Sequence, residues 1–299
     1  MSNDDSAGRT WAIRIAVWSA FVLVAIAFGP RAVQVLASRV DVSSRNCPAV
    51  EFDRVGFVAR PDWLSDDLLL AVSRDLQPFL NGSAPILDDA AARQLLAGLA
   101  TVPWVEETRL ERVFPDRFRV AFGLRRPVLS VRDELARPLC LVDRSGIALP
   151  WVDGAQLPTT MLRREGGVGT VRGRMGEVVD DDRVVAAAAI AVQWRDQLAP
   201  LVPDCPRLLE VDANNLGLRW VRSPEYPEVR VALARADGAP VVFGYGRPVG
   251  AALPCVAIDV KAKVLRAILA EHPALDGLVS GDLRFEMRWR AWLQPRQGS

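Results

Sequence analysis

The chain has 299 residues, half of them hydrophobic, which suits one large domain or two ordinary ones with a properly buried core. Its formal net charge of +1 provides no whole-chain field for steering nucleic acid or an acidic polymer. The four cysteines, Cys47, Cys140, Cys205 and Cys255, contain no C-x-x-C pair, so a zinc or thioredoxin-type site has no support. A Cys205–Cys255 bridge is allowed if the domain lies outside the cytoplasm. The simpler expectation is four small, mostly buried apolar side chains.

A tail of residues 1–10 precedes the most apolar stretch, Trp11–Phe28, WAIRIAVWSAFVLVAIAF. As a helix it spans roughly 27 Å, close to the hydrocarbon thickness of a bilayer. Its one charge, Arg14, lies a turn from the start and can snorkel to the interface. Trp11 and Trp18 suit interfacial depth, and Gly29-Pro30 ends or bends the run. A retained anchor (11–29) and a cleaved signal peptide both fit this pattern. The span length, with no close small-x-small site after Phe28, favours the anchor. Arginines flank both ends, so charge does not set the orientation. A ten-residue tail before the span and a large domain after it put the N-terminus in the cytoplasm and the domain outside.

Residues 30–49 read as a polar connector. Val50–Val58 has strand composition. Ser65 can cap a helix with Asp66 and Asp67 in its first turn, and Leu64, Leu68, Leu69, Val72 and Leu76 form its apolar stripe until Pro78 and Asn81-Gly82. Asp88 or Asp89 caps a second helix, buried through Ala92, Leu95, Leu96 and Leu99. Val105–Phe114, a turn at Pro115-Asp116, and Arg117–Leu124 make a hairpin. In its return strand Phe118, Val120, Phe122 and Leu124 alternate with Arg117, Arg119, Ala121 and Gly123, which directs the first set into a core. Residues 50–126 thus spell β-α-α-β-β, two helices on one face of a three-stranded sheet.

Residues 127–293 are strand-rich with two helices, and 294–299 form a tail. Strands are expected at Val128–Val131, Leu139–Val142, Ile147–Leu149, Leu208–Asp212, Leu216–Val221, Val229–Leu233, Val241–Phe243 and, last, Asp282–Trp292. Asp143-Arg144-Ser145-Gly146 is a turn. Asp180–Asp182 open a helix running to about Leu198 with a face of Val184, Val185, Ala188, Val192 and Trp194. A second helix covers Ile258–Glu271. The fold class is therefore α+β, with an N-terminal transmembrane helix ahead of the two folded parts.

Nothing in the chain spells a catalytic set. His272 is the only histidine and sits in Glu271-His272-Pro273 at a helix end, where a cap or C-terminal cation is the expected role. No G-x-S-x-G, H-E-x-x-H or G-x-x-x-x-G-K sequence occurs. Gly166-Gly167-Val168-Gly169 reads as a loop, and Asp180–Asp182 as acids at a helix N-terminus rather than metal ligands. Arg125, Arg126 and Arg132 form a modest basic patch without interleaved aromatics, so nucleic acid is not an expected partner. No cofactor is implied.

Pro103-Trp104-Val105 entering a strand, Phe114-Pro115-Asp116-Arg117 at the hairpin and Arg125-Arg126-Pro127-Val128 leaving it resemble the POTRA domain of the bacterial division proteins FtsQ and DivIB. Leu141-Val142-Asp143-Arg144-Ser145-Gly146 is similar to that family's LVD-x-x-G turn. Asp282-Leu283-Arg284-Phe285 is similar to the start of its terminal strand. Gly154–Gly176 has no counterpart, and the glycine turn expected after Phe285 is missing. The resemblance implies a POTRA domain over 50–126, a β-domain over 127–293, and a non-enzymatic scaffold of the septal cell-wall machinery (the divisome) in the cell inner membrane. Small single-pass coiled-coil proteins resembling FtsB and FtsL would be its partners. The expected binding residues are Asp282, Leu283, Arg284, Phe285, Trp289 and Trp292 on the last strand, a sheet edge open to β-augmentation, with Arg125 and Arg126. A POTRA-bearing secretion or envelope-assembly factor and a membrane-anchored envelope enzyme are the alternatives.

Overall fold

The computed structural model describes residues 49–51, 60–80, 83–85, 89–113, 117–163, 174–223, 225–248 and 255–296. The expected span Trp11–Phe28, the connector as far as residue 48 with Cys47, and the hairpin turn at 114–116 lie outside these residues. Among the described residues no helix is long and apolar enough to cross a membrane. The fold is α+β, with four α-helices and a large mixed sheet among the described residues.

Contacts divide the chain into two units: residues 1–56, 79–97 and 109–121, and residues 57–78, 98–108 and 122–299. In the first, β1 (Ala49–Glu51) pairs antiparallel with β2 (Ser83–Pro85), a strand that hydrophobic patterning did not mark because it is three residues long. The expected first strand, Val50–Val58, is described only as far as Glu51. Arg112 and Asp89 form an ion pair here.

Helix α1 (Asp66–Leu80) begins with Asp66 and Asp67 in its first turn. The Leu68 N–H donates to the Ser65 hydroxyl, and Leu64, Leu68, Val72 and Leu76 are buried as their spacing requires. The helix runs through Pro78 rather than stopping there. Helix α2 (Asp89–Ala100) buries Ala92, Leu95 and Leu99. Strands β3 (Val105–Val113) and β4 (Arg117–Leu124) pair with each other. Val120, Phe122 and Leu124 are half-buried rather than buried, and the Phe118 side chain is outside the description. In the second unit Trp104 is fully buried; its indole N–H donates to Asp75 at 3.0 Å, and its carbonyl accepts from Arg125 N at 2.8 Å.

The nine-stranded sheet runs in the order β13-β12-β11-β10-β9-β8-β5-β6-β7. Its members are β5 (Pro127–Asp133), β6 (Pro138–Asp143), β7 (Ala148–Leu149), β8 (Thr159–Leu162), β9 (Leu208–Asp212), β10 (Arg230–Ala234), β11 (Pro240–Gly244), β12 (Leu278–Asp282) and β13 (Gln294–Pro295). Three neighbours are parallel, β5–β8, β8–β9 and β11–β12, and the rest antiparallel. Two parallel pairs are made by helical crossovers. Helix α3 (Asp182–Gln193), continued by a wide turn at Trp194–Leu198, joins β8 to β9; helix α4 (Ile258–Glu271) joins β11 to β12. Both crossovers step the same way along the sheet from strands of the same direction, so right-handed connection puts both helices on one face. Accordingly, Val184, Ala187, Ile190, Ala262, Leu265 and Ile268 share one core with Val131, Val211, Val231 and Phe243.

Strand alternation directs the other residues to the opposite face. Registers align Ser130, Thr159, Glu210, Ala232, Val242 and Ser280 in one row there, and Asp212, Arg230, Gly244 and Asp282 in the next. Arg230 pairs with Asp212 at 2.5 Å. Burial pushes the Glu210 carboxyl upward, helped by Asp212 beside it.

Two expected strands do not form. Leu216–Val221 is a short 3-10 turn and bends, and Asp282–Trp292 leaves the sheet after its first residue. Val185, expected on the buried face of α3, is exposed. Asp181 caps α3 by accepting from Arg183 N, and His272 is the C-cap of α4, so the acids and the histidine sit at helix ends as expected.

Candidate functional site

The predicted binding residues after β12 form a compact cap rather than a strand. The reason is Asp282. Its carboxylate accepts from Arg284 N at 2.9 Å and grips the Arg284 guanidinium at 2.8 Å, while Leu283 N donates to the Gly244 carbonyl at 2.8 Å. A side chain that takes the main-chain N–H two residues on turns the chain out of the ladder. Asp282 is buried against Gly244, where a Cβ would overlap its carboxylate. Arg284 also donates to the Glu225 carbonyl at 2.7 Å and lies 5.0 Å from the Phe285 ring centre. A buried carboxylate is tolerable because it is fully paired.

Beyond it, Phe285 stacks on Trp292, centroids 4.8 Å apart and planes 13° from parallel. Between them the chain turns at 286–288 and forms a 3-10 helix, Trp289–Trp292. Leu283 and Trp289 belong to the core. Arg290 lies 4.5 Å over the Trp289 ring and pairs with Glu271, which lowers the Glu271 carboxyl. The two-residue strand β13 then pairs with β12, with Ser280 Oγ and Gln294 Oε1 2.8 Å apart. Of the six predicted residues here, Phe285 and Trp292 are half-buried on the surface, Asp282 and Arg284 are an internal ion pair, and Leu283 and Trp289 are core. Met287, which sequence reasoning passed over, is 96% exposed beside them.

Arg125 and Arg126 stand elsewhere, at the start of β5. Four strands separate β5 from β12, about 24 Å at the usual strand spacing. Arg125 is inward-facing and pairs with the buried Asp143 at 3.2 Å. Arg126 is exposed. The structure therefore does not gather the predicted residues into one surface.

No group of three or more His, Cys, Asp or Glu residues suited to a metal ion occurs among the described residues. Cys140, Cys205 and Cys255 are free thiols. Burial pushes Cys140 up to about 12 and Cys205 up to about 11, so neither is a ready nucleophile. Cys255 is exposed, against the expectation of a buried one.

Set against known proteins, the sequence matches no family model and no curated protein.

Proposed function

We propose that this chain is a membrane-anchored, non-enzymatic scaffold of the septal cell-wall machinery, similar in plan to FtsQ and DivIB, with a POTRA domain at 50–126 and a β-domain at 127–293. Its anchor is Trp11–Phe28, and its folded part lies outside the cytoplasm. The partners are small single-pass coiled-coil proteins resembling FtsB and FtsL.

The observation that supports this reading best is the outer end of the large sheet. The strand β12 is covered on that side by only two residues of β13. The Phe285–Trp292 stack and exposed Met287 and Val279 flank this short edge. An incoming strand gains main-chain bonds by lengthening the β13 pairing, and the aromatic pair supplies a side-chain anchor.

The test is pull-down of tagged full-length chain from detergent-solubilised envelope of its own cells, wild type beside Phe285→Lys and Trp292→Ala. Recovery of the coiled-coil division proteins with the wild type, reduced about tenfold or more by either substitution, is expected. Equal recovery by all three removes the edge, and a fluorescent fusion that never concentrates at the division site removes the septal reading.

A further inference from the structure

The expected strand Leu216–Val221 is instead a rigid loop that carries an exposed tryptophan. Asn215, buried, accepts from Trp220 N at 3.0 Å and Val221 N at 2.8 Å, and donates to the Val221 carbonyl at 3.2 Å. Gly217 N donates to Glu228 at 2.7 Å, and Glu228 is itself held by Arg247 at 2.8 Å. Gly217 and Leu218 both take left-handed backbone, φ 73° and 57°, a conformation that a leucine holds only when its surroundings over-determine it. Every one of these contacts fixes the loop, and none of them covers Trp220, whose side chain is 50% exposed.

The surface continues onto α3. Arg219 reaches Asp182 at 2.9 Å in the first turn of that helix. Val185 stands one turn further along the same helical face, and Val185 and Val178 both close over Gly146. Val178 is 58% and Val185 39% exposed, which adds apolar surface beside the Arg219–Asp182 pair. Beside the loop an open cavity of about 650 Å³ is lined by Gly217, Leu218, Arg219 and Arg222. Among the described residues its lining holds two guanidinium groups; Arg219 is paired with Asp182, while Arg222 is exposed.

We infer that the 216–222 loop and the outer face of α3 form a docking surface for an amphipathic helix of a partner protein, which seats an apolar side chain on Trp220 and a carboxylate on Arg222. A helix fits better than a strand because the loop's main-chain N–H groups at Gly217, Trp220 and Val221 are already used internally. The partner is then read by side chains alone. Rigid presentation lowers the ordering cost of binding, and tryptophan with arginine is the pairing that dominates interface energies. The exposed Arg222 guanidinium selects an acidic flank over a basic one. This surface is independent of the β12 end and of the septal reading.

The probe is a synthetic amphipathic peptide about 20 residues long, enough to form helix in isolation, with leucines on one face and glutamates along one flank. Its twin carries lysines in place of the glutamates. Binding to full-length chain in neutral detergent micelles is followed by anisotropy. The acidic peptide should bind at least about tenfold more tightly than the basic one, Trp220→Ala should weaken it to a similar degree, and Arg222→Glu should invert the preference. Melting of both variants at the wild-type temperature shows that the loop still folds. Equal binding of the two peptides, or an unchanged preference in Arg222→Glu, overturns the proposal. Self-association of the free chain that Trp220→Ala abolishes also overturns it, in favour of a second copy as occupant.

Discussion

The Lys261 ammonium lies 3.5 Å from the centre of the Tyr245 ring, fully buried, with no hydrogen-bond partner on Nζ among the described residues. The Tyr245 hydroxyl is buried and has no partner among the described residues either. Lys261 sits on the buried face of α4, at a position that the helical stripe assigns to an apolar residue. Burial lowers the lysine from 10.5 to about 8, with Cys255 pulling the other way. That shift corresponds to about 3 kcal/mol against the charged form, and a desolvated cation–π contact returns about 2 kcal/mol. The first effect wins by a small margin.

Lys261→Met should therefore stabilise the chain by about 1 kcal/mol at pH 7, keeping the stem and losing the charge. The sign with pH follows from the lowered value. Below about 8 both folded and unfolded chains hold the proton, and the penalty is fully present. Between about 8 and 10.5 the unfolded chain binds more protons than the folded one, so this group makes stability rise with pH. Urea melts of wild type and variant at pH 7 and pH 9.5 should converge at the higher pH. A variant less stable than wild type at both would mean that the cation–π contact outweighs burial.

Arg125 illustrates how a residue expected at a partner surface acts inside the fold. Its partner Asp143 also accepts from Ser145 N at 2.8 Å and Ile147 N at 2.9 Å, which shapes the turn at Gly146. Asp143→Ala removes all three contacts and should cost about 2–4 kcal/mol. Arg125→Ala leaves the two main-chain donors in place and should cost about 1–3 kcal/mol. Thermal melts of the purified chain decide. Unchanged melting of Arg125→Ala together with lost partner recovery would return this residue to the binding surface.

The helices were legible because their apolar residues recur over three or four turns; α4 runs from Ile258 to Glu271 as its stripe requires. The strand Leu208–Asp212 was also plain from composition. What failed was local competition for backbone hydrogen bonds. Leu216–Val221 has strand composition, but the Asn215 side chain takes the N–H groups a ladder would need. Asp282 does the same to the last expected strand through Arg284 N. The candidate site suffered most, since the resemblance and the aromatic residues of 282–292 suggested one exposed edge strand where the turn sends Leu283 and Trp289 inward. The four-residue β8 and the parallel pairings on either side of it depend on contacts between distant segments, which no local pattern carries.

The cap after β12 separates packing from binding in a testable way. Trp289 is 8% exposed and part of the core, so Trp289→Ala should cost about 3–5 kcal/mol. Phe285 is half-buried and meets Trp292 by stacking; Phe285→Lys should cost about 1–2 kcal/mol, the stack and part of its apolar contact. Denaturant melts of the two variants, compared at one temperature, should differ in that order. A Phe285→Lys chain as unstable as Trp289→Ala would place Phe285 in the core, and the loss of partner capture by that variant would then carry no information on binding.

The exposed Cys255 provides a topological reporter. If Trp11–Phe28 anchors the chain with its N-terminus inside, Cys255 faces the extracytoplasmic side, where a membrane-impermeant maleimide reaches it in spheroplasts. Cys140 is buried and Cys205 half-buried, both with thiols raised by burial, so neither should label appreciably in the folded chain at pH 7. Cys47 is replaced by serine to leave one accessible thiol. Spheroplasts of this variant should label to about the same extent as lysed cells, and the further change Cys255→Ser should abolish the signal in both. Labelling that appears only after lysis would put the domain in the cytoplasm. That outcome would remove the anchored, outward-facing arrangement on which the septal scaffold depends, while leaving the docking surface around Trp220 open to a cytoplasmic partner.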